Sequence, residues 1–223
     1  MNCIFDSMLS FTEENYLKAI YHLSETGTNP VLTNDLAEAM KTKAASATDM
    51  VKRLATKKFI AYEKYYGANL TAKGKSEALM VIRKHRLWET FLVQKLGFSW
   101  DEVHEVAEQL EHIQSQRLIE KLDEFLGHPK TDPHGDPIPD SKGKLQQQHA
   151  IACDQLKEGK QGIIIAVKDS DSSLLKLLDK IGAKPGKKIK VLTRETYDES
   201  MEAILDGHKV FLSKKVSKNI LVN

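Results

Sequence analysis

The sequence predicts a mainly α protein with a winged helix-turn-helix at one end and a small β barrel at the other. Three observations carry this. Residues 12–70 read as three short helices and a hairpin, residues 73–125 are helical almost throughout, and residues 150–223 change to short β-type runs. The expected domains are therefore 1–74, a helical domain at 75–140, a linker at 141–149 and the barrel at 150–223.

"TEENYLKAIYHLSET" places Tyr16, Leu17, Ile20, Tyr21 and Leu23 at helical spacing, with Thr12 as the expected cap. "GTNP" breaks that helix. "VLTNDLAEAM" begins a second, capped by Thr33 or Asn34, and "ASATDMVKRLATKKFI" a third that buries Met50, Val51 and Leu54. "FIAYEKYYGANLTAKG" then reads as two short strands joined around Gly67, which supplies the wing. The long helical region is interrupted at "LGFSWDEV", where Ser99 is the expected N-cap. "LGHPKTDPHGDPIPDSKGKL" holds four prolines and three glycines in twenty residues, the composition of a linker. Beyond it "GIIIAV", "KKIKVLT", "MEAILDG", "HKVFLS" and "NILVN" are strands and "SSLLKLLDKIG" a helix, with turns where a small barrel needs them.

With 41% apolar and 29% charged residues, a chain of 223 residues buries a real core. The formal net charge of +2 announces no nucleic-acid binder, so any such signal is local. No apolar run reaches the ~18–20 residues of a membrane span, and no membrane partner is expected. The start lacks a secretion signal, and Cys3 and Cys153 fit no disulfide framework, so a reducing cytoplasm is expected.

The local signal lies in residues 41–58, where Lys41, Lys43, Lys52, Arg53, Lys57 and Lys58 face the single acid Asp49. A double helix needs such an excess for its phosphates. The first turns of the expected recognition helix are small and polar, with Ala45 beside Ser46, so its backbone can approach a groove floor. Ser46, Thr48 and Asp49 are placed to reach base edges, and Lys43 and Lys52 to hold phosphates. A lysine-coated helix in an ordinary three-helix protein shows the same charge; the basic-aromatic hairpin "EKYYGANLT" favours the DNA reading.

"EVHEVAEQLEHI" carries four acids and two histidines with no basic residue. On a helix at roughly 100° per residue, His104, Glu108, Glu111 and His112 share a quarter of the circumference. His85 and Glu89 in "KHRLWETF" share a face at i,i+4. Carboxylates and imidazoles on adjacent turns can converge on one cation, and such donor sets suit Mn²⁺, Fe²⁺ or Zn²⁺. A solvated acidic helix with ordinary histidines is the plain alternative. Enzyme chemistry finds no support: HExxH fails at Glu108, no Glu-x-x-His pair exists, and GxSxG, P-loop and dinucleotide fingerprints are absent. The rival functions are a DNA-binding regulator without metal control and a metal-binding enzyme or storage protein.

Together, "ENYLKAIYHL", "YEKYYGANLTAKG", "RKHRLWETFL", "VHEVAEQLEH" and "DPHGDPIP", spanning roughly residues 13–139, resemble the metal-dependent transcriptional repressors that include the diphtheria toxin repressor and the manganese transport regulators. The C-terminal part resembles the SH3-like domain of their longer members. The resemblance implies a homodimer, joined through the helical dimerisation domain, that binds an imperfectly palindromic operator when loaded with Mn²⁺ or Fe²⁺ (Zn²⁺ also in vitro). Its output would be repression of metal-uptake genes. It implies an ancillary site of His85, Glu89 and His104, with Asp169 or Asp171 as candidates from the SH3-like domain. It implies a second site of Glu108, Glu111 and His112, completed from the first helix by Asn15 where the family has Asp or Met. Glu108 in place of Cys suits a harder, manganese-tolerant site. Short manganese members carry Glu one turn beyond Asn15, whereas this chain has Lys18, which repels a second cation. A metal held by both modules would set the spacing of two recognition helices.

Overall fold

The computed structural model describes residues 9–24, 27, 29–146, 148–168 and 171–223. By internal packing the chain forms two compact units. The first contains residues up to Lys84 with Glu111–Gln114 and Pro139–Lys144; the second contains His85–Leu110, Ser115–Ile138 and Leu145–Asn223.

In the first unit, α1 (Phe11–Leu23) begins with a reciprocal cap rather than at Thr12. The Ser10 amide donates to Glu13 Oε2 at 2.8 Å and the Glu13 amide to Ser10 Oγ at 3.3 Å. Ser10 wins because it stands three residues before a glutamate, which closes both bonds. Tyr16, Leu17, Ile20 and Tyr21 form the buried stripe. The second helix, α2 (Thr33–Ala39), starts from Leu32 without a side-chain cap, so neither Thr33 nor Asn34 plays that part. Next comes α3 (Ala44–Thr56), which buries Ala47, Val51 and Leu54, while the longer Met50 is only half-buried.

The wing pairs β1 (Ile60–Glu63) with β2 (Gly67–Leu70), in register from Ile60 opposite Leu70 to Glu63 opposite Gly67. Gly67 has φ +105° and lies against Val31, whose oxygen a Cβ would meet at 2.7 Å. Only glycine allows the approach that lets Val31 and Ala68 exchange backbone hydrogen bonds. Thr71 Oγ1 then accepts from the Gly74 amide as the chain enters α4 (Ala72–Leu96), a helix whose residues from His85 onward belong to the second unit.

The second unit adds α5 (Val103–Leu110) and α6 (Gln116–Phe125), the latter capped by Ser115. Its β part contains β3 (Ile151–Ala152), β4 (Gln161–Val167), α7 (Ser172–Ile181), β5 (Lys188–Arg194), β6 (Met201–Leu205), β7 (His208–Leu212), α8 (Lys214–Ser217) and β8 (Ile220–Val222). The strands form one antiparallel sheet in the order β3-β8-β4-β5-β6-β7, open at β3 and β7 rather than closed as a barrel. Alternation makes it one-sided: Met201, Ala203 and Leu205 of β6 are buried while Glu202 and Ile204 are half-exposed. Ile164, Leu175, Leu178, Ile189, Val191, Met201 and Ile220 build the core, and Trp100 from the connection before α5 joins it. Each buried aliphatic side chain contributes about 1.5–3 kcal/mol. No helix among the described residues is long and apolar enough to cross a membrane.

Candidate metal centre

The second unit holds a buried cluster centred on one carboxylate. His85 and Glu89 are one turn apart on α4, and His104 comes from the first turn of α5. His85 Nε2 lies 2.9 Å from Glu89 Oε1 and 3.2 Å from His104 Nδ1, which is itself 3.4 Å from the same oxygen. The other face of the carboxylate meets His134, whose Nδ1 is 3.6 Å from Glu89 Oε2. Potential ligand atoms of His85, Glu89 and His104 fall within 4.8 Å of one another, and so do those of Glu89, Asp132 and His134.

Two of the imidazoles, His134 and His104, are oriented from behind. His134 Nε2 donates to the Trp100 carbonyl at 2.7 Å, which turns Nδ1 towards Glu89. His104 Nε2 lies 3.6 Å from Glu108 Oε1, which leaves Nδ1 for the cluster. Outer partners of this kind fix the ring orientation of metal-binding histidines. Asp132 Oδ1 accepts from the amides of His134 and Asp136, while Oδ2 lies 3.5 Å from Arg86 Nε.

Glu89, Asp132, His134 and His85 of the cluster are buried, and His104 forms its more exposed edge. Burial pushes the Glu89 carboxyl up, but hydrogen bonds from His104, His134 and His85 outweigh it and hold the group well below its usual range. Asp132 moves the other way, to about 7, through burial and repulsion by Glu89 and Asp136. Burial lowers His134, yet the bond and charge of Glu89 and the charge of Asp132 raise it to about 9. Two triads share Glu89, which faces His85 and His104 through Oε1 and His134 through Oε2, and each triad is a donor set of borderline softness that fits a divalent ion. The two ring nitrogens at 3.2 Å sharing one carboxylate oxygen are the observation on which that fit rests.

Asp132 and His134 lie outside the ligands expected from sequence, in the stretch whose prolines and glycines read as a linker. That stretch is pinned instead. The Val167 amide of β4 donates to the His134 carbonyl at 2.9 Å, and Gly135, at φ +92°, packs so closely that a Cβ would meet the Ile165 oxygen at 1.9 Å. The legible signal was an acid and a histidine two apart, "DPH", followed at once by a glycine.

The other expected ligands are regrouped. The helix carrying the acidic stripe ends at Leu110, so Glu111 and His112 do not continue its face, and they belong to the first unit whereas Glu108 belongs to the second. In the first unit Glu111, fully buried, accepts from Lys18 Nζ at 2.6 Å. His112 Nδ1 pairs at 2.5 Å with Glu14 rather than Asn15, and Phe11 stacks on its ring. Glu14 Oε1 also accepts from Gln114 at 3.0 Å and lies 3.7 Å from Lys84 Nζ. Asn15 Oδ1 is buried without a hydrogen-bond partner among the described residues. These residues do not fit a divalent cation as they stand, because ammonium groups already meet both carboxylates. Asp171 caps α7, its Oδ1 accepting from the Ser173 and Leu174 amides, and Asp169 lies outside the described residues.

On α3, Ala45, Ser46, Asp49 and Lys52 are exposed, as is Lys43 at its N-cap; Thr48 is half-buried and its hydroxyl donates to the Ala44 carbonyl at 2.8 Å. Arg53 and Lys57 are committed elsewhere, 2.9 and 2.8 Å from the buried Glu13 carboxylate of α1. Lys57 thereby offsets the cost of burial and lowers the Glu13 pKa. The wing presents Tyr65 and Tyr66 to solvent, with Lys64 Nζ 4.8 Å from the Tyr65 ring centroid.

Comparison with known proteins agrees with this layout. Residues 8–68 match the model of the iron dependent repressor N-terminal DNA binding domain, and 71–140 that of the iron dependent repressor metal binding and dimerisation domain. Residues 154–223 match the FeoA domain. The iron-dependent repressor IdeR of Mycobacterium leprae is 36% identical over 128 residues, 57% of this chain and 55% of that one. The match thus spans about half the length of such curated relatives. An uncharacterized HTH-type transcriptional regulator of Methanocaldococcus jannaschii is 35% identical over 53% of this chain and 94% of its own. A solved manganese-dependent transcriptional repressor in complex with manganese superposes with TM-score 0.86 at 34% identity, covering 94% of this chain and 98% of that one.

Proposed function

The chain belongs to the iron-dependent repressor family, and we propose that it is a transcriptional regulator whose affinity for operator DNA depends on a divalent ion, Mn²⁺ or Fe²⁺. The observation that carries this is the buried Glu89 cluster, in a chain that also presents an exposed, small and polar recognition helix. His85, Glu89, His104, Asp132 and His134 would hold the ion, with Glu108, Trp100 and Arg86 orienting them. A divalent ion bound there supplies the positive charge that allows three imidazoles to stand neutral around buried carboxylates. α4 carries His85 and Glu89, and control of DNA binding requires that the ion bind one state of the protein more tightly than another. Control extends as far as the difference in affinity between those states.

At the DNA, Ser46, Thr48, Asp49 and the small Ala45 face base edges, and Lys43 and Lys52 hold phosphates. Two copies paired as a homodimer would straddle an imperfect palindrome. The test is operator binding by fluorescence anisotropy under anaerobic conditions with Mn²⁺, Fe²⁺ or Zn²⁺. A metal-dependent gain in affinity supports the reading; identical affinity with chelator and with metal rejects it. Lys52→Ala is expected to weaken all sequences alike and to lower the salt slope by about one unit.

A further inference from the structure

We propose that Lys18 is a built-in replacement for a metal ion in the first unit, so that this protein takes its metal through the Glu89 centre alone. The proposal rests on the metal-dependent reading above. Glu14, Glu111 and His112 are an acid-and-imidazole set of the kind that gathers around a divalent ion, and Glu111 is wholly buried. Such a carboxylate needs a positive partner within contact distance. Lys18 Nζ provides it at 2.6 Å, from a side chain only 14% exposed, reaching from α1 to a residue 93 positions away.

The rest of the set is satisfied in the same way. Glu14 has Lys84, Gln114 and His112, and His112 Nε2 is 3.8 Å from Glu111. Among the described residues, Glu14 and Glu111 thus meet two ammonium groups, an amide and an imidazole. A dication would arrive where ammonium groups already face both carboxylates, and would have to displace a buried one. Among the described residues, the two groups of three converging donors both contain Glu89 and neither contains Glu111. The α1 ammonium makes permanent the charge compensation that a bound ion would make conditional.

The test counts Mn²⁺ per chain on the full protein, by equilibrium dialysis and calorimetry. Glu89→Gln is expected to lose essentially all Mn²⁺ binding, whereas Glu111→Gln is expected to keep the wild-type stoichiometry. In the Glu89→Gln background, Lys18→Glu is expected to gain one equivalent. That gain should vanish when Glu111→Gln is added, because the new carboxylate joins Glu111, His112 and the Asn15 oxygen one turn earlier. Should Lys18→Glu fail to fold, the count in Glu111→Gln decides alone. A Mn²⁺ equivalent that survives Glu89→Gln and is lost on adding Glu111→Gln overturns the proposal. So does a folded Lys18→Glu protein that gains nothing. Wild-type protein that binds no Mn²⁺ at all would sink the functional reading instead, and the Lys18→Glu gain would still decide this one.

Discussion

Each unit contains a largely buried cluster in which carboxylates meet imidazole, one ring in the first unit and three in the second, and the two neutralise their charge differently. Around Glu111 the cations are covalent parts of the chain: Lys18 and Lys84 stand against Glu111 and Glu14. Around Glu89 the nearby permanent cation is Arg86, and it is shared between Asp132 and Asp136. What remains there is balanced by protons, held on the His134 imidazole raised to about 9 and on the Asp132 carboxyl pushed up to about 7. Protons can be exchanged for a metal ion; a tethered ammonium cannot. The residue types are nearly the same in both places, so the source of compensating charge, not the ligand inventory, is what would separate the proposed metal site from a structural cluster.

The largest expected effect tests the Glu89 side. Glu89 touches three imidazoles through both oxygens, so Glu89→Gln should lower Mn²⁺ affinity by roughly 100-fold or more, beyond the 10–100-fold typical of outer partners alone. Metal-dependent operator binding should go with it, while affinity at saturating chelator stays at the wild-type level. Anisotropy titrations of the variant against Mn²⁺ check this. A variant that still responds at wild-type Mn²⁺ concentrations would move the centre elsewhere.

The Glu111 side is expected to answer in stability. Lys18→Met leaves Glu111 buried without its ammonium and should cost about 3–5 kcal/mol in denaturant unfolding. Replacing both partners, Lys18→Met with Glu111→Leu, should recover most of that loss, because an apolar pair carries no uncompensated charge. If the double variant is as unstable as the single one, the ion pair is not what the cluster depends on.

How much of this was readable in advance differs between the units for physical reasons. Periodicity located the C-terminal strands, since Met201, Ala203 and Leu205 alternate as a half-buried strand must. It also located α3, the proposed recognition helix, whose buried Ala47, Val51 and Leu54 leave the polar positions outside. It misread the acidic stripe because no proline or glycine marks the end of α5 at Leu110, so Glu111 and His112 were projected onto a face they leave. His112 meets Glu14, 98 residues away, and no local pattern distinguishes Glu14 from its neighbour Asn15. Asp132 and His134 hid in a proline-rich stretch whose order comes from bonds to β4, which composition does not register.

Protonation gives a third, intermediate effect. At pH 8 Asp132, at about 7, has lost its proton, whereas His134, at about 9, still holds one that a ligating Nδ1 must release. Binding of Mn²⁺ should therefore release about one proton, read from the dependence of calorimetric enthalpy on buffer ionisation, with affinity rising about tenfold per pH unit up to about 9. Both shifts are upward, so both groups stabilise the metal-free fold at low pH and lose that contribution as pH rises. For Asp132 the loss runs from about 4 to 7, and for His134 from about 6.5 to 9. The metal-free protein should become less stable across that window in thermal melts, and Mn²⁺-loaded protein should resist the upper part of it. Proton release near zero would place His134 outside the metal's ligands.

The smallest expected effect comes from the rim of the same centre. Asp136 adds to the negative charge around Asp132, and its carboxylate lies 3.4 Å from Arg86 Nη2, but its side chain is 45% exposed. Its backbone amide, which donates to Asp132 Oδ1 at 3.0 Å, is unaffected by a change of side chain. Asp136→Asn therefore keeps the loop that aims His134 and removes one water-screened charge, while leaving Arg86 more fully to Asp132. Charges so exposed are worth about 0.2–1 kcal/mol, so Mn²⁺ affinity should fall by no more than about fivefold. The reduction should shrink further in high salt, which screens a rim charge far more than a buried one. Calorimetric titrations at two ionic strengths read both effects. A loss that rivals Glu89→Gln, and that salt does not diminish, would mean that Asp136 turns inward as a ligand and that the centre extends beyond the five residues assigned to it.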